Sequence, residues 1–153
     1  MFRNLLSRLF SDSIVAPGLI ATDGEVAIAA LFVRIARADD RYTEVERRRI
    51  EAVLSRRDGL GPDEAAERRV AAEMIEAEAP DTVRFTRLVK ERVALEDRRA
   101  VIAAMWEIAY SDGNRSAEEE SMIRLVTGLL GVNDRDSALV RQRVLTDLGI
   151  SGL

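Results

Sequence analysis

The chain has 153 residues, 47% hydrophobic and 33% charged, with a formal net charge of −4. That is the length of one domain, too apolar for disorder and more heavily charged than the ~25% usual in globular proteins. It has no Cys and no His, which excludes disulfides, thiol nucleophiles, Ser-His-Asp triads, imidazole proton shuttles and zinc sites built from those residues; the acidic balance and 5% aromatic content argue against nucleic acid as a partner.

Phe2, Leu5, Leu6, Leu9 and Phe10 make one apolar stripe on a short helix, with Arg3, Asn4, Ser7 and Arg8 on the other side. The stripe suits docking on the domain's own core, or peripheral contact with a partner or a membrane surface through residues 2–10. Arg8 and Asp12 break any export-signal pattern, and no apolar run approaches the ~18–20 residues that span a bilayer. The expected location is the cytoplasm, or the inner face of the membrane. A single Lys, Lys90, stands among 23 basic residues, which reads as a bacterial composition bias. Residues 11–18, ending in Pro17-Gly18, read as a linker. The expected organisation is therefore an N-terminal helix and linker over 1–18 and a helical domain over 19–153.

From residue 22 onward the pattern is helical throughout. Thr22 with Glu25 forms a capping box that opens Val26 to Ala38, a segment apolar on almost all sides and therefore central. Thr43 with Glu46 opens a second helix, to about Arg57, with Ile50, Val53 and Leu54 inward and Gly59 and Gly61 ending it. Pro62 starts a third, with Val70, Met74 and Ile75 as its stripe, and Pro80 stops it. Thr82 to about Val93 presents Phe85, Leu88 and Val89. Glu96 to Ser111 is apolar on most sides, with Trp106 in the core. Ser116 with Glu119 is a third capping box, opening a helix to Leu130 that Gly131 ends. The last helix, Asp134 to Leu148, turns Leu139, Val140, Val144 and Leu148 inward. No stretch alternates with period two, so no strand is expected. The fold class is all-α: a compact single-domain bundle of about seven to eight helices.

Two segments resemble each other at an offset of 73 residues without a gap: IARADDRYTEVERRRIEAVL from Ile35 and IAYSDGNRSAEEESMIRLVT from Ile108. Asp39/Asp112, Thr43/Ser116, Glu46/Glu119, Ile50/Ile123 and Val53/Val126 match in kind. Each copy is a buried helix, an acidic turn and a capped amphipathic helix, so the bundle is built on an internal repeat of a helical hairpin, with halves at about 25–58 and 98–130. The two central helices are expected side by side about a pseudo-twofold axis. The second turn is not an EF-hand: Ile123 stands where the twelfth-position Glu is required, and Gly113 is at position two rather than six.

Asp39 and Asp112 close their helices at the end where negative charge opposes the helix dipole. Two readings account for the repeated misplacement. Each Asp accepts hydrogen bonds from the first amides of the next helix, with Glu46 and Glu119 completing capping boxes. Alternatively Asp39, Asp112, Glu46 and Glu119, with Asp40, Glu118 and Glu120 nearby, form an oxygen-only site for a hard divalent cation (Ca, Mg or Mn).

A helix ending in Ala-x-x-Asp-[Asp/Gly], then Ser/Thr, then Glu residues opening the next helix, twice in a chain of this length, resembles the TerB-like family of tellurite-resistance protein B. The likeness covers about Glu25 to Leu130 and is strongest from Ala109 to Glu119; the first copy departs by placing Asp40 where Gly is usual. The resemblance implies an all-helical domain with no established enzyme activity. It further implies divalent metal bound through the acidic turns, at Asp39, Asp112 and Glu119 with Glu46 as pseudo-equivalent, and links to bacterial stress response, tellurite resistance, membrane-associated assemblies and DnaJ-class co-chaperones. The expected function is a non-enzymatic binding module with protein partners. The alternatives are a metal-free co-chaperone-type adaptor and a magnesium-dependent nucleotide hydrolase. The hydrolase would need Glu64, Glu67, Glu78 and Asp81 on shared helical faces, and Pro80 interrupts them. Arg47, Arg48, Arg49, Arg56 and Arg57 read as a solvated face and not a nucleic-acid site.

Overall fold

Seven helices and no strand make up residues 23–78, 82–114 and 116–150, the part of the chain that the computed structural model describes. They are α1 (Asp23–Ala36), α2 (Glu44–Asp58), α3 (Pro62–Glu78), α4 (Thr82–Arg92), α5 (Leu95–Ala109), α6 (Ala117–Leu129) and α7 (Asp134–Asp147). The N-terminal helix expected over 2–10, the linker after it, Thr22 of the first capping box, Pro80 and Asp81 lie outside the described residues.

The centre of the bundle is α1. Every residue from Ala27 to Val33, and then Ile35 and Ala36, is buried, as expected of a helix with no polar face. It packs chiefly on α3 and α4, and more lightly on α5, α2 and α6. The two apolar helices α1 and α5 do touch, but they are not the main pair: α5 packs most heavily on α7. Phe32, Phe85, Ile50, Ile102, Met105 and Trp106 are among the largest fully buried side chains of one continuous core cluster.

Local signals in the sequence place the helix ends. The Thr43 hydroxyl accepts from the Glu46 amide, and the Glu46 carboxylate accepts from the Thr43 amide, a complete capping box. Gly59 ends α2 in the left-handed conformation (φ 65°), with the Gly59 and Leu60 amides both donating to the Ser55 carbonyl. Asn133 caps α7 by accepting from Asp136. Arg98 ties two ends together: its Nε donates to the Val93 carbonyl at 3.1 Å and its Nη1 to the Leu130 carbonyl at 2.6 Å.

Two expected stripes are corrected. In α3 the buried residues are Ala65, Ala72, Ile75 and Glu76, whereas Val70 and Met74 are exposed. The helix packs through small alanines and through arginines neutralised in place: Arg68 pairs with Asp58 and Glu25, and Arg69 with Glu51 and Glu73. In α7 Leu139 is 62% exposed, and Ser137, Val144 and Leu145 face inward.

Four of the five arginines of α2 form ion pairs within the chain. Arg49 and Arg56 share Glu107 of α5, and Arg47 and Arg48 pair with Glu44. No helix among the described residues is long and apolar enough to cross a membrane.

Candidate functional site

Two helix exits and two helix entries build the site. The chain leaves α1 through Asp39 and Asp40 and enters α2 at the Thr43 cap; it leaves α5 through Asp112 and Gly113 and enters α6 at the Ser116 cap. Both exits need a residue in the left-handed region, which Asp40 (φ 62°) and Gly113 (φ 78°) supply. Asp40 is the sole positive-φ residue other than glycine among the described residues. A Cβ at Gly113 would meet nothing within 4 Å, so the cost of Gly113→Ala is purely conformational. We expect it to lower stability by about 1–2 kcal/mol, read from denaturant midpoints; no loss would show that this turn relaxes freely.

Asp39 and Asp112 behave alike, but not as capping acceptors for the following helix. Asp39 Oδ1 accepts from the Arg41 amide and Asp112 Oδ1 from the Asn114 amide, each at 3.0 Å. Each side chain thus bonds the backbone two residues on and closes its own turn, which offsets its unfavourable place at a helix C-terminus.

The next layer breaks the likeness between the two turns. Glu46 and Glu119 occupy the same position in their helices and are both 2% exposed. Glu46 completes its capping box. Ser116 accepts from the Glu119 amide at 3.2 Å, yet Glu119 Oε1 is buried without a hydrogen-bond partner. The Glu119 carboxyl instead meets Glu46 and Asp39. Burial first, and then the facing Glu46 and Asp39 carboxylates, push it up to about 10. Burial also raises Glu46, opposed by hydrogen bonds from Glu119 and Thr43. Two carboxyls that share a buried site cannot both ionise cheaply, so the pair favours retaining a proton, and Glu119, which lacks the capping bonds of Glu46, is the more strongly raised of the two.

A cleft of about 350 Å³ opens over this group, lined by Asp39, Arg41, Asp112, Ser116, Glu118 and Glu119. Among the described residues no Arg or Lys forms an ion pair with Asp39, Asp112, Glu46 or Glu119. The structure therefore brings Asp39, Glu46 and Glu119 together and sets Asp112 on the wall of the same cleft. As they stand, no three acidic side chains among the described residues are arranged to hold one metal ion. Of the neighbouring acids, Asp40 is exposed, and Glu120 turns away to the Tyr110 hydroxyl and Arg141. Sequence reasoning missed Arg41 in the cleft, because nothing in the spacing distinguishes it from the other solvated arginines. Glu64, Glu67 and Glu78 are exposed on α3.

An all-α bundle with two capped hairpins meeting at a carboxylate cluster defines a class of small helical module. The chain belongs to the TerB family: the family model for tellurite resistance protein TerB matches residues 25–142. That span runs from the start of α1 into α7 and holds both turns. No curated protein and no solved structure matches the chain.

Proposed function

We propose that this tellurite-resistance-type helical module is a non-enzymatic binding protein whose acidic cleft takes a hard divalent cation (calcium, magnesium or manganese). Cation occupancy would set the angle between the paired hairpins, and a protein partner in a bacterial stress-response assembly at the inner face of the membrane would read the resulting helix surface. The observation that carries this reading is the buried Glu119 oxygen without a partner, facing two further carboxylates with no described basic side chain paired to them. The donor set is oxygen only, as hard cations prefer. Asp39, Glu46 and Glu119 would hold the ion with Asp112 from the opposite turn, after the Glu119 proton leaves and the side chains close in. The ion would supply the positive charge that the cluster lacks.

The test is thermal unfolding of chelated protein with each cation added back. At about 100 times its dissociation constant a cation stabilises by ~2.7 kcal/mol, or roughly 5–10 °C at this chain length. The rise should vanish in the Asp39→Asn, Asp112→Asn double variant. Absence of a rise with all three cations would favour the second reading, a metal-free adaptor. That reading draws on the same two aspartates, which already close their turns through backbone amides.

A further inference from the structure

The two turns that line the acidic cleft differ in charge at one position. At the 73-residue offset, Arg41 corresponds to Asn114. The backbones do the same thing there: the Arg41 amide donates to Asp39 Oδ1 and the Asn114 amide to Asp112 Oδ1, both at 3.0 Å. Both residues line the cleft. One copy of the repeat therefore places a fixed positive charge where the other places a neutral amide.

The charge of Arg41 is uncommitted. Arg47, Arg48, Arg49 and Arg56 of α2 each pair with a glutamate. Arg41 is exposed, and its side chain forms no ion pair or hydrogen bond among the described residues. A cation entering the cleft meets the carboxylates of Asp39, Asp112 and Glu118 and, in the same lining, this guanidinium. The number of charges in the ligand set is one of the levers that tune calcium sites over many decades of affinity, and a like charge in the wall subtracts from it.

We propose that Arg41 is a specificity-determining residue that holds the affinity of the cleft for divalent cations below what its acids alone would give. The inference rests on the cation reading of the same cleft. The guanidinium repels the incoming ion, so the site fills where the cation is abundant and empties when its concentration falls.

The test is calorimetric titration of chelator-treated protein with calcium, magnesium or manganese chloride at low ionic strength. Arg41→Asn installs the residue that the second turn already carries on the equivalent backbone hydrogen bond. It should bind the ion roughly fivefold more tightly, as expected from the repulsion between a double and a single charge about 8–10 Å apart in water. Asn114→Arg adds a second guanidinium and should weaken binding by a similar factor. Both differences should shrink at about 1 M salt, where the screening length falls to about 3 Å. Arg143→Asn makes the same change of net charge at an exposed position on α7, outside the cleft lining, and should keep wild-type affinity. An ion that binds wild type, Arg41→Asn and Asn114→Arg equally would overturn the inference and leave the cation reading standing. So would an equal gain from Arg143→Asn, which would assign the effect to net charge. No binding by any of these proteins would remove the cation reading, and this inference with it.

Discussion

Chelated protein should lose stability steadily from pH 5 to pH 8, and Glu119→Gln should flatten the trend. Across that window the folded chain holds a proton on Glu119, whose carboxyl is pushed from 4.5 up to about 10, while the unfolded chain has released it. Unfolding therefore liberates a proton, and raising the pH favours unfolding. The contribution is fully present below about pH 4.5, where both states are protonated, and is lost as pH climbs toward 10. One proton over three pH units bounds the effect at about 4 kcal/mol, and a change of about 2–4 kcal/mol would lower the melting temperature by roughly 5–15 °C. The groups facing Glu119 are Glu46 and Asp39, and Arg41 also lines the cleft.

The chain is well suited to this measurement, because it has no His and no Cys. The side chains that ordinarily titrate near neutrality are missing, and the terminal amine is common to both proteins. The amide introduced by Glu119→Gln keeps a donor toward Glu46 without an ionisable proton. A divalent cation should reverse the slope, since it competes with the proton for the same oxygens and its apparent affinity rises with pH. A wild-type curve that stays flat from pH 5 to 8 without cation would mean that Glu119 is already ionised, and the shared-proton account would fall.

Phe32→Ala should cost about 3–5 kcal/mol, a large part of the 5–15 kcal/mol that holds a typical domain together. Phe32 is fully buried in the middle of α1, and neighbours on every side of that helix prevent the gap from closing by a shift toward solvent. Leu139→Ala deletes a comparable apolar side chain from a position 62% exposed and should stay within about 0.5 kcal/mol of wild type. Denaturant midpoints at constant slope would measure both. Equal losses from the two variants would contradict the inward and outward faces described for α1 and α7.

The contrast marks how far hydropathy carries. The helices were legible because their ends are written in residues with fixed roles, such as Thr43 with Glu46, Gly59 after Asp58 and Gly131 after Leu130. The all-round burial of α1 follows from its lack of a polar face. The inward faces of α3 and α7 were less legible. Ala65 and Ala72 carry little hydropathy contrast, and a half-buried Arg68 or a buried Glu76 looks solvated until its partner is known. Leu139 stands out by residue type alone, whereas the buried series Ser137, Val144 and Leu145 opens on a polar residue. At the site, the 73-residue offset identified four acids in equivalent pairs. It could not show that Asp39 and Asp112 close their own turns, or that burial raises Glu119 more strongly than Glu46. Those outcomes depend on which carboxyl completes its cap and which is left facing the other.

The position of α1 in the chain has a consequence for how the protein is made. Synthesis runs from the N-terminus, and α1 leaves the ribosome well before the helices that enclose it. Its principal neighbours α3 and α4 extend to Arg92, and α5 ends at Ala109. At ~5–20 residues per second, the growing chain carries an unshielded apolar cylinder for several seconds. The first hairpin cannot shelter it, because the Ile50–Val53–Leu54 edge of α2 covers only one side. Among the described helices the first to be made thus has the last interior to be completed, and it stays partly uncovered until α5 arrives.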